Sequence, residues 1–157
     1  MRCVCWMNER RKIVLRAAFV LYGILMLWLL FGQRYQGQLV IPEPGQMLEK
    51  MNLKPLHTIG NYLWVLEHSE DPGMRREATI NLVGNVVMFV PLGYFLGALF
   101  VPFRWFWRVL LWSAVLICVV ELLQILTMLG SLDIDDLILN LLGILLGWCV
   151  WKLTGKK

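Results

Sequence analysis

Residues 80–101 read INLVGNVVMFVPLGYFLGALFV. The stretch carries no charged side chain and exceeds the roughly 20 apolar residues that carry a helix across a hydrocarbon core of about 30 Å. Two similar runs follow, VLLWSAVLICVVELLQILTML at 109–129 and LILNLLGILLGWCVWKL at 137–153, and one precedes, Ile13–Phe31. Four such runs predict an all-α polytopic membrane protein, a bundle of four transmembrane helices. What sets these runs apart is their polar content. Asn81, Asn85, Glu121, Gln124 and Asn140 lie within them, and Asp133, Asp135 and Asp136 lie just before the last. A charged residue at mid-bilayer costs roughly 3 kcal/mol on insertion scales, so such residues need a use or an internal partner.

Composition agrees with the membrane class. Apolar residues make up 59% of the chain, against about 45–50% in soluble domains, and the mean hydropathy is +0.64. The net charge of +4 does not indicate nucleic-acid binding, because the basic residues flank apolar runs instead of forming a stripe on a soluble face. The four cysteines make no disulfide framework: Cys3 and Cys5 sit in the N-terminal tail, and Cys118 and Cys149 sit inside apolar runs. Cys3-x-Cys5 without further ligands is not a zinc site, which needs about four. No metal or cofactor is expected. The first run has a basic start (Arg10, Arg11, Lys12) but is too long for a signal-peptide core and lacks a small-x-small site after it, so it reads as a retained anchor.

Length predicts a single domain, 1–157, with spans at 13–31, 80–101, 109–129 and 137–153 and a loop at 32–79. Lysine and arginine predict the orientation. The N-terminal tail (Arg2, Arg10, Arg11, Lys12, Arg16), the connection 102–108 (Arg104, Arg108) and the C-terminal tail (Lys152, Lys156, Lys157) are basic, whereas the connection 130–136 holds three aspartates and no basic residue. Both termini are therefore expected in the cytoplasm, with the long loop outside a bacterial cell membrane. In that loop Leu56, Ile59, Leu63 and Leu66 recur at helical spacing with Tyr62 and Trp64 among them. This predicts an amphipathic helix in the first extracellular loop, lying on the outer leaflet or over the bundle.

A rise of 1.5 Å per residue then places Asn85 and Gln124 about 7 Å, Glu121 about 12 Å and Asn140 about 6 Å below the outer surface. Asn81 lies at that surface. Asn81 and Asn85 share a helix face, as do Glu121 and Gln124; Asp133, Asp136 and Asn140 follow a 3-then-4 step. These seven, Asn81, Asn85, Glu121, Gln124, Asp133, Asp136 and Asn140, form the candidate ligand-binding layer. Asp135 or Asp136 is a candidate cap for the last helix. Amides also glue transmembrane helices together, at about 0.6 kcal/mol per contact. Glu121 could likewise be hydrogen-bonded to Asn85 or Gln124, although a glutamine would do that more cheaply. The aspartates could form an ordinary solvated turn. Gly93, Gly97, Gly143 and Gly147 permit close helix packing, and Pro91 is expected to kink its helix.

The run Asn81-x-x-Gly-Asn85-x-x-x-Phe89-x-Pro91-x-Gly93, then Glu121-x-x-Gln124, then Asp133-Ile-Asp-Asp136-x-x-x-Asn140-x-x-Gly143-x-x-x-Gly147, resembles the VanZ-like family of small membrane proteins. Asn52-Leu-Lys-Pro55-Leu-His-Thr58 is similar to a short stretch that precedes the second helix in that family. The resemblance runs from about Leu15 to Leu153. Many members carry arginine where this chain has Gly130; Arg75 or Arg76 is a candidate replacement cation. The resemblance implies a cell-envelope role linked to low-level teicoplanin resistance, and no reaction. The residues leave three functions open. The first is a binding protein whose outer polar layer engages the headgroup of a lipid-linked cell-wall precursor or a lipoglycopeptide. The second is an intramembrane enzyme acting on such a precursor, with Glu121, Asp133 and Asp136 as acid/base groups or divalent-metal ligands. The third is a structural or permease subunit, which four helices would complete only as a homo-oligomer. Membrane lipids are partners in all three.

Overall fold

A computed structural model of the chain describes residues 9–33, 35 and 44–155. The N-terminal tail with Arg2, Cys3 and Cys5, and also Arg34, Lys156 and Lys157, lie outside the described residues. Four long helices make the bundle: α1 (Glu9–Leu27), α4 (Pro72–Leu99), α5 (Phe106–Leu126) and α6 (Ile134–Thr154). Each is long and apolar enough to cross a membrane, α1 together with the π-helical turn Trp28–Gly32 that extends it. Between α1 and α4 lie α2 (Pro44–Glu49), the short strand β1 (Met51–Asn52) and α3 (His57–His68), the expected loop helix. The only sheet among the described residues is β1 paired in parallel with β2 (Leu132–Asp133), which immediately precedes α6. The chain is thus an all-α, multi-pass membrane protein.

Apolar run and helix do not share ends. α4 begins eight residues before the expected span, because Asp71 caps it by accepting from the Gly73 amide at 2.8 Å and Pro72 supplies a pre-set first residue. Its 28 residues reach about 42 Å, two turns beyond the hydrocarbon. The charged turn Arg75–Glu77 suits a helix in water as well as any other, so hydropathy cannot see it. α4 also runs unbroken through Pro91. α5 stops at Leu126, before the expected Leu129, where the chain turns through a left-handed Met128 (φ 56°).

The core is the contact between α4 and α6, which run parallel. A Cβ added to Gly93 would fall on the Ile144 carbonyl; one on Gly143 would meet the Val86 carbonyl, and one on Gly147 the Val90 carbonyl. The expected small-residue faces therefore meet each other. In lipid, where apolar surface gains little by leaving its solvent, this backbone-to-backbone approach supplies the van der Waals contact that holds helices together. Phe89, Leu92, Ile144 and Trp148 fill the seam, joined by Met26 from α1 and Val109 and Ile117 from α5. Two hydrogen bonds pin the outer helices: Tyr22 donates to the Met88 carbonyl at 2.8 Å, and the Trp148 indole donates to the Phe103 carbonyl at 2.9 Å. The remaining faces of α1 and α5 are apolar and exposed (Val20, Leu21, Ile24; Leu111, Val115, Leu122), as lipid contact requires.

Candidate functional site

One end of the bundle gathers the end of α1, α3, the start of α4, the end of α5 and the start of α6. The acidic connection organises it. α6 starts at Ile134, so its cap is neither Asp135 nor Asp136 but Asp133, whose carboxylate accepts from the Asp135 amide at 2.9 Å. The same carboxylate accepts from Thr58 at 2.6 Å and from the Asn52 amide at 3.3 Å. Asp135 points the other way. It accepts from the Leu56 amide at 2.6 Å and the Ile59 amide at 3.0 Å, and so caps α3 from a distant part of the chain. Asp133 is 7% exposed and Asp135 is 0% exposed, so this is not a solvated turn. Leu56 is held at φ 63° by that contact, a left-handed backbone that costs a β-carbon residue roughly 1–2 kcal/mol. The β1–β2 pairing continues the seam: the Leu132 amide donates to the Lys50 carbonyl at 3.0 Å, and the Lys50 ammonium donates to the Met128 carbonyl at 3.4 Å.

Beneath this clamp lie the intramembrane polar residues, and they have different partners. Asn85 of α4 donates to Asp136 of α6 at 2.7 Å. Gln124 of α5 donates to the Leu30 carbonyl at 3.0 Å, satisfying an acceptor that the end of the first span leaves open. Asn81 donates to the Glu77 carbonyl of its own helix at 2.9 Å. The amides of Asn85 and Gln124 are thus directed elsewhere than at Glu121. Glu121 is 6% exposed, and its Oε1 has no hydrogen-bond partner among the described residues. Among the described residues the charges of Asp136 and Asp133 act on it, and the Asp133 backbone amide faces it. Asn140, one turn beyond Asp136, is 7% exposed with its Oδ1 also unpartnered among the described residues. A buried acceptor left without a donor costs about 1–3 kcal/mol. Natural proteins leave few, and each needs a reason.

α3 covers the cluster. Thr58, Ile59, Tyr62, Val65 and Leu66 are its partly buried residues, while Leu56, Leu63 and Trp64 are exposed. The expected stripe thus divides, and Tyr62 takes the inward place of Leu63. Burial raises the Tyr62 phenol above its ordinary range, and the charges of Glu77, Asp136 and Asp133 add to that. Arg75, a candidate replacement cation, is engaged at the end of α3. Its guanidinium donates to the Leu66 and Ser69 carbonyls at 2.6 and 3.3 Å and closes the end of α3. Among the described residues no three side chains of His, Cys, Asp or Glu stand where they could hold a metal ion together. Sequence reasoning missed Asn52, Thr58 and Asp135 as partners in one clamp. Asn52 and Thr58 stand in the Asn-Leu-Lys-Pro stretch, but nothing local says that their partner lies about 80 residues away.

The family model described as VanZ/LLP1 matches residues 19–155. The chain is 27% identical over 146 residues to "Protein VanZ" of Enterococcus faecium, an alignment that covers 92% of this chain and 78% of that one. No solved structure matches.

Proposed function

We propose, since the chain belongs to the VanZ/LLP1 family, that it is a cell-envelope protein of the bacterial cell membrane that binds a polar headgroup or a lipoglycopeptide-type ligand and lowers susceptibility to teicoplanin. The observation that carries this reading is that, of the three buried side-chain atoms without a hydrogen-bond partner among the described residues, two, Glu121 Oε1 and Asn140 Oδ1, belong to the polar layer that holds the Asn85–Asp136 hydrogen bond, and the third is Ser113 Oγ. Adhesive contacts alone give no reason for polar side chains at Glu121 and Asn140 whose acceptors meet no donor among the described residues. The distribution of lysine and arginine turns this end of the bundle outward, where a cell-wall precursor or drug arrives. In this reading Glu121 and Asn140 receive the ligand beside the Asn85–Asp136 pair, Gln124 holds the end of the first span, Asp133 holds the connection, and α3 acts as the lid.

The test is expression in a susceptible Gram-positive host, with teicoplanin binding and susceptibility measured side by side. Wild type should lower susceptibility by a measurable factor, and Glu121→Gln should return it to the level of the empty host. Equal susceptibility and equal binding in all three strains would remove the resistance reading.

A further inference from the structure

We propose that the end of the bundle opposite the acidic connection holds the phosphate of a phospholipid with a net negative headgroup, such as phosphatidylglycerol, between Lys152 of α6 and Arg104 of the turn that joins α4 to α5. The site is separate from the polar layer and does not depend on what that layer binds.

Trp148 joins the two cations. Its side chain is buried, and its indole N–H donates to the Phe103 carbonyl at 2.9 Å. The Phe106 ring meets it edge-on at 5.8 Å. Trp148 is thus fixed against the turn Val101–Arg104. The Lys152 ammonium stands 4.6 Å over that ring, so one indole separates it from the carbonyl of the residue before Arg104. A lysine carries a large rotamer entropy, and the attraction of a cation to the ring face holds this one near the turn. Arg104 and Lys152 are both exposed, and neither pairs with a carboxylate among the described residues. The carboxylate that the described residues place at this end, Glu9, is engaged by Lys12 at 2.7 Å. The turn also has a depth. Trp105 and Trp107 are 70% and 74% exposed, and indoles of this kind settle at the headgroup level. Arg104, next to Trp105, is then at the level of the lipid phosphates. Arginine offers phosphate a planar fork of donors, and lysine offers a point charge. A zwitterionic headgroup brings its own ammonium against them, so a net negative headgroup fits better. The preference of basic residues for the cytoplasmic side explains positive charge here. It does not explain why two of the cations are tied to one buried ring. Arg108 shows the difference: two residues after Phe106, it is turned about 200° from it around α5, on the far side from Trp148.

The full chain in detergent micelles is titrated with phosphatidylglycerol or with phosphatidylcholine of the same acyl chains. Bound lipid is counted by native mass spectrometry, and the melting temperature is recorded alongside. One phosphatidylglycerol should be retained per chain and should raise the melting temperature, with phosphatidylcholine binding at least about fivefold more weakly. Lys152→Gln and Arg104→Gln should each weaken phosphatidylglycerol binding about fivefold. Lys152→Arg, which keeps the charge over the ring, should retain it, and Arg108→Gln should leave it unchanged. Melting in phosphatidylcholine alone should match wild type for every variant, which separates loss of the site from loss of the fold. Equal retention of the two lipids would overturn the site. So would a loss on Arg108→Gln as large as on Lys152→Gln, the mark of diffuse attraction to a basic surface. Inorganic phosphate raising the melting temperature as far as the lipid does would overturn the lipid assignment.

Discussion

Asp135 has the clearest single role in the molecule. It is fully buried, and both carboxylate oxygens are taken by backbone amides at the start of α3. A helix N-terminus welcomes a carboxylate, because its first amides have no partners within the helix. Asp135→Ala is therefore expected to cost about 1–3 kcal/mol. The loss should be local: hydrogen exchange would accelerate at the Leu56 and Ile59 amides while the α4–α6 seam stays protected. Unchanged protection at those two amides would contradict the cap. Tyr62 reports the same placement by its titration. Its phenol is raised above its ordinary value by burial first, and then by Glu77, Asp136 and Asp133. The folded state thus favours the neutral ring. Stability from this group is full below the unfolded phenol's midpoint and is lost as pH rises through the higher folded one. Asp136→Asn should lower the Tyr62 midpoint, followed by NMR of the ring carbons. A midpoint that does not move would place α3 away from the carboxylates.

Glycines decide the packing of the elements, and their signs differ by position. At Gly147 an added methyl would collide with the Val90 carbonyl, an atom that cannot move without moving α4. Overpacking of this kind costs about 1–3 kcal/mol. At Gly84 the same methyl meets only the Ile80 side chain at an ordinary 3.8 Å, and helix propensity then favours alanine by up to about 1 kcal/mol. Gly147→Ala should lower the unfolding midpoint in mild detergent, whereas Gly84→Ala should leave it level or raise it. A destabilised Gly84→Ala would mean that propensity does not decide the outcome there. The Gly143-x-x-x-Gly147 spacing made this seam legible in advance, because close approach in lipid is written in small residues. Helix ends were less legible. Hydropathy marks where a helix leaves hydrocarbon, and α4 continues for two more turns into water, where only the Asp71-Pro72 cap marks its start.

At the scale of the whole molecule, apolar length and small-residue spacing made the bundle legible, while the clamp above it was not. Asn52, Thr58, Asp133 and Asp135 act through hydrogen bonds between residues more than 70 positions apart. No periodicity in one segment reports such a pairing. The polar layer was legible as a depth, yet depth alone could not show that Gln124 serves the end of the first span or that Asn81 bonds its own helix. The two ends of the bundle differ in charge. The end with α3 has mixed charges and buried carboxylates, and the other has Arg104 in a short connection, Arg108 in the first turn of α5 and Lys152 in the last turn of α6. Short basic connections stay in the cytoplasm, so the α3 end is expected outside. In a background with all four cysteines replaced, Ser69→Cys should react with a membrane-impermeant maleimide on intact cells, and Thr154→Cys should react only after the membrane is opened. The two sites lie at opposite ends of the bundle, so each controls for the other. The reverse pattern would put Glu121 and Asn140 at the cytoplasmic side. It would remove the outward site for a drug or cell-wall precursor, while leaving the packing and the clamp as described.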